Sequence, residues 1–297
     1  MLSIIVCSIS TQRLQNLKEN VERTIGCDYE IIAFDNREKM WPIAKVYNHA
    51  AAQAKYPYLL FVHEDVEFLS EAWGPFVEEK LREPDCGVIG FAGNKAKLRC
   101  YSGWGQYPKW DCTYLYQGGY ENQNIKIEVN NAFLNIPFAE VIVLDGMALF
   151  VRKEVWNAYP FDETLLTGFH CYDLDFSIQS AVAGYKNYVC CSNRVLVKHL
   201  SLGNYSPAWY RDTVRLYEKW KAKLPICTPD VDLNSKVVRK REERLSNDFL
   251  KKVQALKLPE RGIVLRTFLC QYPMTWRHFR HCVEALFRQL SGHSPAK

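Results

Sequence analysis

No stretch of this 297-residue chain approaches the roughly 20 consecutive apolar residues that a membrane-spanning helix requires. No Cys-x-x-Cys spacing occurs among the eleven cysteines, which counts against a zinc site built on such pairs. The only close pair is Cys190-Cys191. Together with Cys7 it lies in a strand-like apolar run, where a thiol behaves as a small hydrophobe. Reduced thiols and a cytoplasmic compartment are therefore expected. The N-terminal residues have no basic segment ahead of a long apolar one, so no signal peptide is expected. Glycine is missing from Ser8-Ile9-Ser10-Thr11-Gln12-Arg13, after the first apolar run. That absence argues against the glycine-rich phosphate loop of a nucleotidyltransferase. No nucleic-acid-binding motif accompanies the basic residues, so no nucleic-acid partner is expected.

What is present is an ordinary globular composition, 48% hydrophobic and 13% aromatic, long enough for a substantial core. The net charge of +5 is uneven. Residues 235–297 hold fourteen Lys/Arg against five Asp/Glu, a balance of +9, which leaves the preceding body at −4. The division expected is a main domain over 1–230 and a basic helical extension over 231–297.

The body alternates in period. Leu2–Cys7 reads as a strand, Thr11–Arg23 as a helix closed by Gly26, and Tyr29–Phe34 as a strand ending in Asp35-Asn36. Ile43–Ala54 reads as a helix. Tyr58-Leu59-Leu60-Phe61-Val62 is a fully apolar strand that stops abruptly at His63-Glu64-Asp65. This order predicts an α/β fold with a mainly parallel, Rossmann-like sheet, whose ligands bind beyond the carboxyl ends of the strands. Asp35 and the Glu64-Asp65 pair fall on that edge, and acids placed there can hold a divalent cation. A helix over Trp73–Leu81 and a strand over Gly87–Phe91 come next.

Residues 95–137 show neither period. Tyr101, Trp104, Tyr107, Trp110, Tyr114, Tyr116 and Tyr120 alternate with glycines there, reading equally as a sugar-facing lid and as a packed irregular loop. Beyond it, strands are expected at 140–151, 188–191 and 194–197. A helix should run from about 172 to Ala183, stopped by Gly184. Ser206-Pro207 opens a further helix that Pro225 ends. Two or three basic amphipathic helices follow Ser235.

Several pieces taken in order resemble one family. They are Asp35-Asn36, His63-Glu64-Asp65-Val66, the run Asp145-Gly146-Met147-Ala148-Leu149-Phe150-Val151-Arg152, Phe161-Asp162-Glu163, and Tyr172-Asp173-Leu174-Asp175 before a helix ending at Gly184-Tyr185. Over residues 2–200 the chain is similar to family-2-type, rhamnosyltransferase-like glycosyltransferases with the GT-A fold. The resemblance implies a mixed, mainly parallel sheet flanked by helices, with a basic helical C-terminal extension. It also implies a nucleotide-sugar donor and a divalent cation, Mn²⁺ or Mg²⁺.

Residue by residue, Asp35 is expected at the nucleotide base, with Ser8 and Asn36 beside it, and Glu64 and Asp65 at the ribose and diphosphate. Asp65 and His199 are expected on the metal, and Asp145-Gly146 near the sugar. Asp173 is the expected general base, while Trp104, Trp110, His170 and Asp175 are candidates for the acceptor side or a lid. Two positions depart from the family pattern. His63 stands for the usual first Asp or Asn, and Tyr172 for the usual Glu.

The implied reaction is inverting transfer of a hexosyl or deoxyhexosyl group to a hydroxyl of a glycan, polysaccharide or lipid-linked acceptor. The alternative is a non-catalytic nucleotide-sugar- or glycan-binding protein of the same fold. The tail, with Trp276, Phe279, Val283, Leu286, Phe287 and Leu290, is a candidate for peripheral contact with anionic membrane lipids.

Overall fold

The structure, a computed structural model, describes residues 1–118, 126–129, 136–201, 203 and 205–291; Tyr120 lies outside this set. The chain opens with β1 (Leu2–Ser8), α1 (Thr11–Thr24), β2 (Tyr29–Asp35), α2 (Ile43–Ala51) and β3 (Tyr58–His63). Next come β4 (Val66–Phe68), α3 (Trp73–Leu81), β5 (Cys86–Gly90), β6 (Ala92–Asn94), β7 (Ala96–Lys97), β8 (Asp111–Gln117) and β9 (Lys126–Val129). Then follow β10 (Phe138–Val141), β11 (Val143–Leu144), β12 (Ala148–Arg152), α4 (Lys153–Ala158), α5 (Tyr172–Val182), β13 (Lys186–Cys190) and β14 (Val197–His199). The last elements are α6 (Pro207–Trp220), β15 (Ile226–Cys227), α7 (Lys236–Ala255), α8 (Arg261–Gln271) and α9 (Trp276–Ser291).

Seven strands form the main sheet in the order β10-β13-β5-β12-β3-β1-β2. β1, β2 and β3 are parallel, as the alternating pattern predicts; β12 is antiparallel between β3 and β5. Strand periodicity assigns the two faces. Leu59 and Phe61 join α2 and α5 in one apolar layer, while Leu60 and Val62 join α1 and α3 in the other. All four side chains are fully buried, each worth roughly 1.5–3 kcal/mol of transfer free energy. That two-sided burial is why β3 reads as a continuous apolar run.

The turns are set locally. Ser10 caps α1 by accepting the Arg13 amide, and Ser206 caps α6 by accepting the Trp209 amide. Gly26 follows α1 at φ +70°, and a Cβ there would lie 2.6 Å from Ala72 Cα, so only glycine fits.

A smaller second sheet runs β11-β6-β8-β14-β4, with β9 on β8. Among the described residues of 95–137 it corrects the expectation of an irregular segment. Asp111–Gln117 is a regular strand whose partners, β6 and β14, come from both sides of it in sequence. Two boundaries also differ. α2 stops at Ala51 rather than 54, and residues 193–195 form a 3₁₀ turn ahead of β14 rather than the start of a strand.

The extension folds back onto the body. Phe249, Leu250, Val264 and Phe268 share one apolar cluster with Tyr101, Val214 and Tyr217. Tyr101 donates to Thr267 Oγ1 at 3.0 Å, and the Arg241 guanidinium donates to the Gln106 carbonyl at 2.8 Å. All eleven cysteines are free. Among the described residues no helix is long and apolar enough to cross a membrane.

Candidate active site

β3 leaves the main sheet at His63, turns through Glu64-Asp65 and enters the second sheet as β4. β14 pairs antiparallel with β4 and places His199 opposite Val66. Register therefore brings together two groups more than a hundred residues apart: His199 Nε2 lies 3.6 Å from Asp65 Oδ1. His63, Asp65 and His199 each present one ligand atom, all within 4.8 Å of one another. The Asp65 and His199 side chains are both buried, Asp65 at 8% exposure and His199 at 11%. An imidazole–carboxylate donor set of this kind fits a borderline divalent cation such as Mn²⁺.

Neighbouring groups decide what each ring can do. Gln117 donates its amide to the carbonyls of His199 and Ser201, which turns its oxygen toward His199 Nδ1 at 3.4 Å. His199 Nε2 faces Asp65 and also lies 3.1 Å from Ser201 Oγ. His63 Nε2 lies 2.7 Å from the Tyr172 hydroxyl, which lies 2.9 Å from the Gly146 carbonyl oxygen. Burial, then the nearby His199, lowers the His63 pKa and favours a neutral ring.

On the facing wall α5 begins at Tyr172 and carries Asp173 in its first turn. Its carboxyl pKa is pushed up to about 7, first by burial and then by the charge of Asp145. Asp145 is held in place, accepting from Trp104 Nε1 at 2.9 Å and from the Met147 amide at 3.1 Å. Between these acids Gly146 has no room for a side chain. A Cβ there would lie 2.3 Å from Tyr172 Oη and 2.9 Å from Asp173 Cβ. These groups open on a cleft of about 620 Å³. His63, His199, Asp145 and Asp173 line it, and Trp104 and His170 form part of its rim.

Other expected site residues lie elsewhere or act through the chain. Glu64 points back at the loop after β1, where one oxygen accepts from Ser8 Oγ (2.7 Å) and from the amides of Ile9 and Ser10 (3.1 Å each). Ser8 and Glu64 therefore fix that loop. Asn36 is fully buried and clasps both backbone groups of Trp41. Asp35 is exposed at the end of β2 and pairs with Arg37, which holds its carboxyl down at about 2.

Two expectations need correction. Trp110 is core, packed among Leu98, Cys100 and Val238, because the 3₁₀ turn at residues 108–110 faces the start of α7 rather than the cleft. Asp175 is fully buried beneath α6, bound to Lys219 Nζ (2.8 Å) and Trp220 Nε1 (2.7 Å), so it anchors that helix. Sequence reasoning missed Gln117, Phe169, Tyr205 and Trp209 in the cleft wall. The exposed aromatics Phe169 and Tyr205 beside the expected His170 and Ser206 were the available signal.

A mixed, mainly parallel sheet flanked by helices, with acids and histidines gathered at its strand ends, is the GT-A fold of solved glycosyltransferases. A sequence model of the Glycosyltransferase like family matches residues 3–219, and the chain belongs to that family. No individually curated protein matches it in sequence. Among solved structures it is similar to S. aureus TarS, with a TM-score of 0.53 and 14% identity over 98% of this chain and 53% of TarS. A shorter TarS, residues 1–349 in complex with UDP, matches with the same score and identity over 88% of its length. GalNAc-T7 with UDP, GalNAc and Mn²⁺ matches with a TM-score of 0.53 and 12% identity over 99% of this chain and 58% of that one. The chain thus spans little more than half of the longer TarS and GalNAc-T7 chains.

Proposed function

We propose that the protein transfers a hexosyl or deoxyhexosyl group from a nucleotide-sugar donor to an acceptor hydroxyl, with inversion, using Asp173 as general base. The observation that carries this reading is Asp173 itself, a cleft-lining carboxyl with a pKa pushed up to about 7, opposite the His63–Asp65–His199 cluster. A base of that strength is half ionised near neutrality and still accepts a proton readily. The acceptor O–H gives its proton to the Asp173 carboxylate as the oxygen bonds to the anomeric carbon. The bond from that carbon to the diphosphate breaks on the opposite face, and its electron pair leaves with the nucleoside diphosphate.

Asp65 and His199 are the residues assigned to a divalent cation, Mn²⁺ or Mg²⁺, which when bound supplies counter-charge for the diphosphate. Asp145, with the Gly146 backbone that approaches α5 closely, is assigned to the donor sugar. Asp35 is assigned to the nucleotide base, and Ser8, Asn36 and Glu64 to shaping the loops around it. TarS with UDP and GalNAc-T7 with UDP, GalNAc and Mn²⁺ support this choice of ligands.

Trp104 and His170 are assigned to the acceptor side, with Phe169 and Tyr205 offering apolar faces against which sugar rings stack. The acceptor class is a glycan or lipid-linked saccharide, as in polysaccharide assembly at the cytoplasmic face of a membrane. α9 supports that location. Trp276, Phe279, Val283, Leu286, Phe287 and Leu290 are all exposed and fall within a stripe of about 100° on a helix of 3.6-residue period. The extension around them is basic, which suits anionic lipid headgroups.

The test is release of nucleoside diphosphate from UDP-, GDP-, dTDP- and CMP-sugars in the presence of Mn²⁺. Turnover by the wild type and none by Asp173→Asn is expected. Tight donor binding without turnover would instead favour a non-catalytic nucleotide-sugar-binding protein. Co-sedimentation with anionic but not neutral vesicles is expected, and its loss in Trp276→Ser/Phe287→Ser tests the membrane face.

A further inference from the structure

The two residues that break the family pattern touch each other. His63 replaces the usual acid or amide at the end of β3, and Tyr172 replaces the usual glutamate at the start of α5. They are 109 residues apart in sequence, yet His63 Nε2 and the Tyr172 hydroxyl are 2.7 Å apart. A second contact fixes the direction of that hydrogen bond. The Tyr172 hydroxyl also lies 2.9 Å from the Gly146 carbonyl oxygen. A carbonyl only accepts, so the single hydroxyl proton goes to Gly146. The phenolic oxygen is then the acceptor, and His63 Nε2–H is the donor. The lone pair of His63 is thereby left on Nδ1, in the tautomer that can ligate a metal.

Across the site Gln117 Oε1 lies 3.4 Å from His199 Nδ1, and His199 Nε2 lies 3.6 Å from Asp65 Oδ1 and 3.1 Å from Ser201 Oγ. Each histidine thus has one nitrogen set against a side chain that can orient its ring, Tyr172 for His63 and Gln117 for His199, as is usual behind ligating histidines. One ring nitrogen of each histidine and one carboxylate oxygen of Asp65 lie within 4.8 Å of one another.

We propose that His63 is a third protein ligand of the cation, and that Tyr172, with the Gly146 carbonyl behind it, is the positioning residue that sets its tautomer. This deepens the metal-assisted reading above and rests on it. Two nitrogens and one carboxylate oxygen make a site that prefers Mn²⁺, Co²⁺ or Zn²⁺ over Mg²⁺, which favours all-oxygen ligation. Three ligands also leave coordination positions open for diphosphate oxygens. Tyr172 precedes Asp173 directly, so one hydroxyl joins the cation site to the helix turn that carries the base.

The test titrates the intact chain with Co²⁺ and with Mg²⁺, each with and without UDP. It reads the visible absorption of bound Co²⁺ and the thermal shift, with circular dichroism of each metal-free variant as a check on folding. The wild type is expected to bind Co²⁺ at least about 100-fold more tightly than Mg²⁺. His63→Ala should lose the wild-type Co²⁺ spectrum and most of that margin. Tyr172→Phe should weaken Co²⁺ binding by about 10–100-fold, the range for partners behind a ligand. His63→Asp should fold and shift preference toward Mg²⁺, which a purely structural histidine would not do.

If His63→Ala keeps the wild-type spectrum and affinity while Asp65→Ala and His199→Ala lose them, His63 is not a ligand and the metal reading survives. If wild-type Co²⁺ binding is unchanged in all three variants, or absent even with UDP, the metal reading falls as well. If Tyr172→Phe binds Co²⁺ like the wild type, the positioning role is overturned.

Discussion

The ends of β2 and β3 carry the same kind of sequence, an apolar run closed by acids, and come to opposite states. Asp35, closing β2, has a side chain 57% exposed, paired with Arg37 from its own turn. Asp65, just past β3, is 8% exposed and faces His199. The difference comes from position in the sheet. β2 is the outer strand, with a neighbour on one side only, whereas β3 lies between β1 and β12 and hands its chain into a second sheet. The end of an edge strand stays in water, where an ion pair is screened and adds little. The end of an inner strand is enclosed by whatever the second sheet lays over it, here β14 with its histidine. An acid at a strand end becomes a site when tertiary structure encloses it.

The largest expected effect lies across the cleft from β3. Asp173→Asn should lower kcat by about 10²–10⁴-fold, the usual range for a general base, while donor binding is kept. In the wild type, kcat/KM should rise with pH through about 7, because Asp173 must be ionised to accept a proton. The linked stability has the opposite sense. An acid whose folded pKa lies above its ordinary 3.8 supports the fold fully below about pH 4, and that support fades as pH approaches 7. Denaturant titrations of wild type and Asp173→Asn should therefore diverge between those limits. A flat rate profile would remove Asp173 from its role.

Asp65→Ala should come next, weakening Mn²⁺-dependent UDP binding in calorimetry by more than about 100-fold, since partners behind a ligand alone carry 10–100-fold. Unchanged binding would erase the contrast between the two strand ends. Glu64→Ala tests the other acid at the end of β3. Its oxygen accepts from Ser8, Ile9 and Ser10, so removal should cost about 1–3 kcal/mol in denaturant unfolding by leaving those donors unpaired. The smallest effect is expected at β2. Asp35→Ala should leave stability and metal binding unchanged and raise the donor KM only by about threefold, as suits a screened, exposed group. A loss as large as that of Asp65→Ala would show that the β2 end is enclosed when donor binds.

Much of this was readable before any contact was known. β1, β2 and β3 follow from short apolar runs, α1 from its helical spacing, α6 from the capping Ser206 and Pro207, and Trp73–Leu81 falls within the bounds its pattern predicts. Each signal is local. β8 was harder to read because one strand that holds it, β14, lies far away in sequence, His199 pairing with Gln117 across 82 residues. Trp104 and Trp110 look alike in the sequence, yet Trp104 binds Asp145 at the cleft while Trp110 packs under α7. Asp173 and Asp175 sit two positions apart in one helix turn, and rotation about the helix sends Asp173 to the cleft and Asp175 to Lys219.

Outside residues 95–137 the sequence alone determined most of the order of strands and helices, and the placing of Asp35, Asp65, Asp145, Asp173 and His199 near strand ends and helix starts. Those features depend on the period of side chains along a few turns or strand residues, which the chain carries within itself. The enclosure of Asp65, the turning of Glu64 back onto the β1 loop and the meeting of His63 with Tyr172 were decided only by the tertiary structure. A side chain's partner depends on which strand is inner and which helix crosses it, through contacts spanning 56 residues for Glu64 and 109 for His63. No local period records that.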